Sequence, residues 1–347
     1  MTTTTSTSTA LETPPAERGN ERRPLTSVSG ILEKFGLVGL LVILVAVFAV
    51  QLPGVFLSGA NLRSIALSQS VLAVMAVALV FPLVGGRFDI SVGANLGLCS
   101  IVTASMMSKT GLPLLPSILI GVATGVAIGA INGILVAYLG INSIIATLGI
   151  STVIAGIVQA YTQGIPISSN ISPALTGMSN QLLLGIPVLF ILMLVLAAAA
   201  WFVLTQTTYG RYLFAVGSNA DAATLVGLPI RRIIMMSFVW AGGFAGIAGV
   251  LQVAAQGNGN PQVGGITFML PALAAVFLGA TTFTPGKYNI PGTVLGLIFI
   301  ATAVSGLALM GVQPWVTDVF NGGAVVVAVG LSALFKRRRT GTAALGE

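Results

Sequence analysis

The stretch "GVATGVAIGAING", residues 121–133, decides the fold of this chain. Its glycines recur at every fourth position: Gly121, Gly125, Gly129 and Gly133. Residues four apart share one face of an α-helix, so this face is bare and a second backbone can approach it closely. We therefore predict a helix here whose glycine face packs against another helix in lipid.

A second small-residue face lies in "AGGFAGIAG", residues 241–249, through Gly242, Gly246 and Gly249. Small residues at this spacing are typical of helix contacts in membranes. We interpret both faces as packing seams of a tight helical bundle, not as ligand sites.

The composition places this bundle in a membrane. Only 7% of the 347 residues are charged and 55% are hydrophobic, whereas soluble domains carry roughly 25% charged residues. The mean hydropathy is +1.01. The chain has no histidine and a single cysteine, Cys99. A disulfide framework is therefore excluded, and no metal site of the His/Cys type is expected.

Hydrophobic runs long enough to cross a bilayer recur along the chain. A span needs about 20 apolar residues, and on that measure we predict an all-α, polytopic membrane bundle of about ten transmembrane helices. The predicted spans are residues 36–52, 62–84, 91–108, 113–139, 143–163, 186–205, 233–256, 267–283, 290–310 and 315–335. Because the number is even, both termini lie on the same side.

The basic residues indicate that this side is the cytoplasm. With cytoplasmic termini, thirteen basic residues fall inside and only Arg63 and Lys109 fall outside, as the positive-inside rule requires. The thirteen are Arg18, Arg22, Arg23, Lys34, Arg87, Arg211, Arg231, Arg232, Lys287, Lys336, Arg337, Arg338 and Arg339.

This orientation divides the chain into three parts. Residues 1–34 are rich in Thr, Ser and Pro and are expected to form a disordered cytoplasmic tail. Residues 35–335 form the transmembrane domain, which includes a cytoplasmic loop at 206–232. Residues 336–347 form a basic cytoplasmic tail.

The loop at 206–232 contains start and stop signals for a short helix. Ser218, with Asp221 three residues later, resembles a capping box. Gly227 suits the left-handed position that ends a helix, and Pro229 prevents continuation.

Ala222 and Ala223 would give this helix a small face that a groove on a partner could accept. The alternative is an ordinary interfacial loop helix with no partner.

No enzyme motif is present in the sequence. "GATTFTPGKY" resembles a phosphate loop, but six residues separate Gly279 from Gly286, and Tyr288 stands where Ser or Thr must hold the metal. Without histidine there is no general base for a nucleophile elbow. The chain is therefore not expected to be an enzyme, and any ATP must be hydrolysed by a partner.

Four sequence blocks carry a resemblance to a known family. The blocks are "GGRFDISVG" (85–93), "SIIATLG" (143–149), "GRYLFAVGSNADAATLVGL" (210–228) and "GATTFTPGKYNIPGT" (279–293). In this order they resemble the ribose/xylose-type (monosaccharide) permeases of ATP-binding-cassette importers, over nearly the whole chain after residue 35. The third block is similar to the loop that inserts a coupling helix into the ATPase subunit.

The resemblance implies a bacterial plasma-membrane complex that imports a monosaccharide or related polyol by alternating access. Its partners would be a second permease copy (identical or paralogous), a cytoplasmic ATPase that binds ATP and Mg²⁺, an extracytoplasmic sugar-binding protein and membrane lipid. This chain itself would hold no cofactor or metal and bind no nucleic acid. The implied coupling-helix residues are Ser218, Asn219, Asp221, Ala222, Ala223 and Gly227.

The sequence departs from the family pattern once in each of the first two blocks, and again in the last. Arg87 and Phe88 add a residue before Asp89, and Ser143 replaces a usual proline. In the last block Pro285 and Tyr288 replace glycines.

Arg87, Asp89 and Ser91 are candidate gating or structural residues. An aspartate at mid-membrane costs roughly 2.5–3.5 kcal/mol, and the neighbouring glycines indicate a broken or re-entrant segment near the cytoplasmic face. Asp89 would then cap the span that begins near Ser91. Gating and direct substrate contact remain alternatives.

A pathway for a neutral polyol needs hydrogen-bonding groups, because desolvated hydroxyls cost several kcal/mol in apolar surroundings. Each candidate could instead form a hydrogen bond between helices. The candidates are Gln69, Asn95, Asn132, Gln159 and Asn321.

Three other functions remain open. The same machine could carry branched-chain amino acids or nucleosides. An ion-coupled secondary transporter usually needs ionisable residues inside the membrane, whereas Asp89, Asp221 and Asp318 all lie at predicted span ends. A non-transporting scaffold is the least favoured, since no soluble domain is present.

Overall fold

The computed structural model describes residues 28–340, and it describes side chains for residues 35–330 apart from 266, 267 and 328. Most of the predicted disordered tail, and residues 341–347, therefore lie outside the described residues.

α-Helices dominate the described chain. They are α1 (Val28–Gln51), α2 (Gly59–Val84), α3 (Val92–Ser108), α4 (Leu114–Ala137), α5 (Ser143–Thr162), α6 (Pro173–Thr176), α7 (Val188–Gln206), α8 (Thr208–Ser218), α9 (Ala220–Leu225), α10 (Ile230–Gln256), α11 (Gly265–Gly279), α12 (Ile290–Leu309) and α13 (Pro314–Thr340). A 3-10 turn follows α6 at Gly177–Ser179, and a short antiparallel hairpin pairs β1 (Leu182–Leu183) with β2 (Ile186–Pro187).

The helices confirm an all-α polytopic membrane fold. In the described chain, α2, α4, α5, α7, α10 and α12 are long and apolar enough to cross a membrane. Three shorter apolar helices are Phe35–Gln51, Val92–Ser108 and Phe268–Gly279. Each predicted span overlaps one helix of the structure.

Two helices extend beyond the predicted spans. α1 begins at Val28, inside the predicted disordered tail, and α13 continues to Thr340, inside the predicted basic tail. In both places the residues beyond the apolar run include Leu, Glu, Lys and Arg, which are good helix formers. Hydropathy marks where a span leaves the lipid, and the helix need not end there.

The core of the bundle surrounds the second half of α2. Every residue from Ser70 to Val84 is buried, and α2 contacts α7, α10, α11 and α12. Phe81 stacks on Trp240 and Phe244 of α10, with ring centroids 5.7 and 5.5 Å apart.

The glycine faces form the predicted seam, between α4 and α10. A Cβ added to Gly125 would touch the carbonyl oxygen of Gly242 and lie 2.8 Å from Cα of Gly246. A Cβ on Gly129 would touch the carbonyl oxygen of Phe238. The two backbones therefore meet directly, and the prediction of a packing seam is confirmed.

The ends of the two glycine faces contact a third helix. A Cβ on Gly121 would meet the side chain of Thr103, and one on Gly249 would lie 2.7 Å from Cβ of Cys99. Both neighbours belong to α3, which packs against α4 and α10. Cys99 is buried there, as expected for a packing residue.

Candidate functional site

The loop predicted at 206–232 contains two helices, α8 and α9, instead of one. Ser218 is the last residue of α8, so the predicted Ser218–Asp221 capping box is wrong. Asn219 caps α9, because its Oδ1 accepts the Ala222 N–H at 2.9 Å. Asn219 has an extended backbone (φ −157°, ψ 101°), which separates the two helices, and asparagine is a favoured N-cap residue.

The predicted end of this helix is confirmed. Gly227 has φ +77°, and its N–H donates to the carbonyl oxygen of Thr224 at 2.9 Å. The Leu228 N–H donates to the carbonyl oxygen of Ala223 at 3.1 Å. This pair of bonds around a left-handed glycine is the Schellman stop.

The predicted two-alanine face is wrong. Ala222 is exposed, but Ala223 is only 4% exposed and faces the bundle. Neighbouring residues lie about 100° apart around a helix, so both cannot point outward equally. The exposed apolar residues are instead Leu225 (89%) and Val226 (75%).

Leu225 and Val226, which we call the α9 tip, were missed in the sequence. The available signal was a pair of bulky apolar residues immediately before the glycine stop, in a loop between two spans. Asp221, also exposed, lies in the first turn of α9, where a negative charge is favourable.

α8 is attached to the bundle through direct backbone contacts. A Cβ on Gly210 would touch the carbonyl oxygen of Leu204, and a Cβ on Gly217 would touch that of Val84 at the end of α2. Leu213 is fully buried, with its Cδ1 3.0 Å from the Cβ position of Gly85. Both ends of α8 therefore depend on glycine.

The segment at residues 85–91, which we call the 85–91 link, joins α2 to α3. Gly86 has φ +73°; its N–H donates to the Leu83 carbonyl oxygen at 3.1 Å, and the Arg87 N–H donates to that of Pro82 at 2.9 Å. These bonds end α2 in a second Schellman stop. The Arg87 side chain is exposed.

Asp89 caps the turn that precedes α3. Its Oδ1 accepts the Ser91 N–H at 2.9 Å and the Ser91 hydroxyl at 2.6 Å. The helix begins at Val92, one residue after the predicted start. The carboxylate is only 4% exposed, and burial in this connecting segment raises the pKa of Asp89 to about 6, although both Ser91 hydrogen bonds oppose the shift.

The link is hydrogen-bonded to two further helices. Asn132 of α4 donates from Nδ2 to Ser91 Oγ at 2.7 Å. The Phe88 N–H donates to Ser143 Oγ at 3.2 Å, and the Ile90 N–H donates to Thr147 Oγ1 at 3.0 Å. Two positions that depart from the family pattern, Phe88 and Ser143, are therefore in contact.

The five candidate pathway residues lie on five different helices, and no hydrogen bond joins any two of them in the described chain. Asn95 and Asn132 are buried between helices; Asn95 donates to the Gly125 carbonyl oxygen at 3.2 Å. Gln69 and Asn321 are half-buried, and among the described residues their side-chain oxygens have no hydrogen-bond partner. Gln159 is exposed on α5. Among the described residues no group of three or more His, Cys, Asp or Glu could hold a metal ion.

Comparison with known proteins identifies the family. Residues 61–329 match the family model described as branched-chain amino acid transport system / permease component. The chain belongs to this family of permeases. It is therefore a transport subunit and not an enzyme, and as a member of an importer family it works with an ATPase and a substrate-binding protein.

Several curated permeases are similar to the chain over most of their length. The D-allose transport system permease protein of Escherichia coli (strain K12) is 33% identical over 88% of this chain and 93% of its own. The ribose import permease protein of Haemophilus influenzae is 32% identical over 83% and 90%. The autoinducer 2 import system permease protein of Photorhabdus laumondii is 29% identical over 85% and 90%. No solved structure matches the chain significantly.

Proposed function

We propose that this permease is the membrane subunit of an ATP-driven importer of a monosaccharide or related polyol. The observation that carries the proposal is similarity to a D-allose and a ribose permease over more than four fifths of the chain. The family description refers to branched-chain amino acids, which makes those the alternative substrates. The sugars in the names of the relatives favour the monosaccharide.

The proposed topology has ten membrane-crossing helices and cytoplasmic termini. The crossing helices would be α1 to α5, α7 and α10 to α13. Support comes from the thirteen-to-two asymmetry of the basic residues. In this topology α8, α9 and the 85–91 link lie at the cytoplasmic face.

The ATPase would bind to α9, the proposed coupling helix, and would itself hold ATP and Mg²⁺. Leu225 and Val226 expose large apolar side chains at the α9 tip, while Ala223 secures the helix to the bundle. Exposed apolar residues that cluster on a surface loop are typical of a protein contact. Asn219 and Gly227 would act indirectly, by fixing the start and the end of the helix.

The pathway would run along α5, between this chain and a second permease copy. α5 packs against α3 and α4, and on its exposed side Gly149, Thr152, Gly156 and Gln159 follow one another at helical spacing. An amide is unfavourable against lipid but suits a water-filled cavity. Gln159 is therefore the candidate that we favour as a pathway residue.

Reconstitution in vesicles tests the proposal. The permease is combined with its ATPase and binding protein, and uptake of radiolabelled D-ribose and D-allose is compared with that of leucine. ATP-dependent uptake of a sugar is expected. Uptake of leucine alone would favour the alternative substrate class. Sugar accumulation by the permease alone, driven by a proton or sodium gradient, would overturn the ATP-driven importer.

A further inference from the structure

We propose that the 85–91 link transmits movement of α8 and α9 to α5, and that Thr147 and Ser143 are the positioning residues that receive it. This inference rests on the proposed function, since it concerns how ATP hydrolysis changes the pathway. Three successive contacts carry it.

The first contact joins α8 to the link. Gly217, the penultimate residue of α8, lies against the Val84 carbonyl oxygen at the end of α2, and a Cβ on Gly217 would also lie 3.2 Å from the carbonyl carbon of Gly85, the first residue of the link. A Cβ on Gly86 would lie 3.7 Å from the Gly217 carbonyl oxygen. Because backbone meets backbone here, no flexible side chain can absorb a displacement of α8.

The second contact is internal to the link. At one end the Schellman stop binds Gly86 and Arg87 to the last turn of α2. At the other, the Asp89 carboxylate holds both the backbone and the hydroxyl of Ser91. With both ends fixed by hydrogen bonds, the link has little freedom to deform, so it is displaced as a unit.

The third contact joins the link to α5. Phe88 and Ile90 are alternate residues, and their N–H groups donate to Ser143 and Thr147, which lie one turn apart on α5. Thr147 is fully buried, so removal of its hydroxyl leaves the Ile90 N–H without this acceptor. The opposite face of α5 carries Gln159, so a shift of α5 moves the proposed pathway.

The experiment measures sugar imported per ATP hydrolysed by the reconstituted complex, with ATPase pull-down as a second readout. Thr147→Val keeps the side-chain volume and removes the hydroxyl oxygen that accepts the Ile90 N–H. We expect the ratio to fall on the order of tenfold, with ATPase binding and hydrolysis retained. Thr147→Ser keeps the hydroxyl and should restore the ratio. Thr205→Val is the matched control, because in the described chain the Thr205 hydroxyl bonds only within its own helix, α7: it donates to the carbonyl oxygen of Trp201 and accepts from Nε2 of Gln206.

A double-mutant cycle separates transmission from local damage. Gly217→Ala pushes α8 away from Val84 and should lower the ratio as well. If Gly217 and Thr147 belong to one route of transmission, the ratio of sugar imported to ATP hydrolysed in the double variant should be no lower than in the poorer single variant. If the fold-losses of the two single variants multiply in the double variant, the proposal is overturned. A normal ratio of sugar imported to ATP hydrolysed in Thr147→Val would overturn it as well. If Thr147→Val does not assemble, Ser143→Ala takes its place. A wild-type complex that imports no sugar would instead overturn the proposed function.

Discussion

Gly242→Ala should destabilise the bundle strongly, whereas Gly243→Ala beside it should not. At Gly242 the new Cβ would touch the Gly125 carbonyl oxygen and lie 2.9 and 3.0 Å from Cα and N of Gly129. All three atoms are backbone of α4, which cannot rotate aside. At Gly243 the nearest atom is Cγ2 of Val126 at 3.6 Å, an ordinary contact.

The magnitude follows from two opposing terms. Overpacking costs about 1–3 kcal/mol, and the upper end applies where backbone atoms surround the new group. Alanine in place of glycine within a helix returns about 0.5–1 kcal/mol. We expect a net loss of about 2 kcal/mol for Gly242→Ala, which is roughly a 30-fold change in the folded-to-unfolded ratio. For Gly243→Ala we expect a gain of about 0.5–1 kcal/mol.

Denaturant unfolding in detergent micelles tests this pair of variants. Trp240 lies on α10 and stacks on Phe81 of α2, so its fluorescence follows the loss of packing around α10. Gly242→Ala should unfold at a clearly lower denaturant concentration than wild type, and Gly243→Ala at the same or a higher one. Coincident transitions for the two variants would refute the direct backbone contact between α4 and α10.

Three further predictions concern the site. Replacing Leu225 and Val226 together by serine should greatly weaken ATPase pull-down at equal membrane abundance; undiminished binding would remove the α9 tip from the interface. Because the folded pKa of Asp89 is raised, its stabilising contribution is present at low pH and is lost as pH rises through about 6. Asp89→Asn should therefore gain thermal stability relative to wild type between pH 5 and pH 8, and parallel melting curves would contradict this. In a Cys99→Ser background, a cysteine at Ser218 should react with a membrane-impermeant reagent only from the cytoplasmic side, and labelling from outside would reverse the topology.

The spans could be predicted from sequence because lipid imposes a simple energetic requirement. A backbone in hydrocarbon must satisfy its own hydrogen bonds, so apolar runs of sufficient length become helices. The two packing faces were also predictable, since Gly125 and Gly242 belong to rows of small residues at helical spacing. That these two faces pack against each other is a finding of the structure. The ends of α1 and α13 were not, because helix propensity continues past the lipid boundary.

The details of α9 depend on tertiary contacts that the sequence does not display. Ser218 and Asn219 are both good N-cap residues, and local preference does not choose between them. The choice is made by α8, whose residue Leu213 is buried against the end of α2 and whose last residue is Ser218. The same attachment turns Ala223 inward and the α9 tip outward.

The glycines of this permease distinguish the α4–α10 pair, whose backbones touch, from α5, whose glycines make no such contact in the described chain. Between α4 and α10 the backbones touch through Gly125 and Gly242, so sliding would bring carbonyl oxygens into collision. Among the described residues α5 has no such seam: Cβ atoms added to Gly149 and Gly156 would meet nothing within 4 Å. An alternating-access cycle needs one element that moves against a fixed partner. Since α5 is exposed on one side in the described chain and hydrogen-bonded to the 85–91 link on the other, we propose that it is the helix whose movement changes the pathway while the α4–α10 pair keeps its shape.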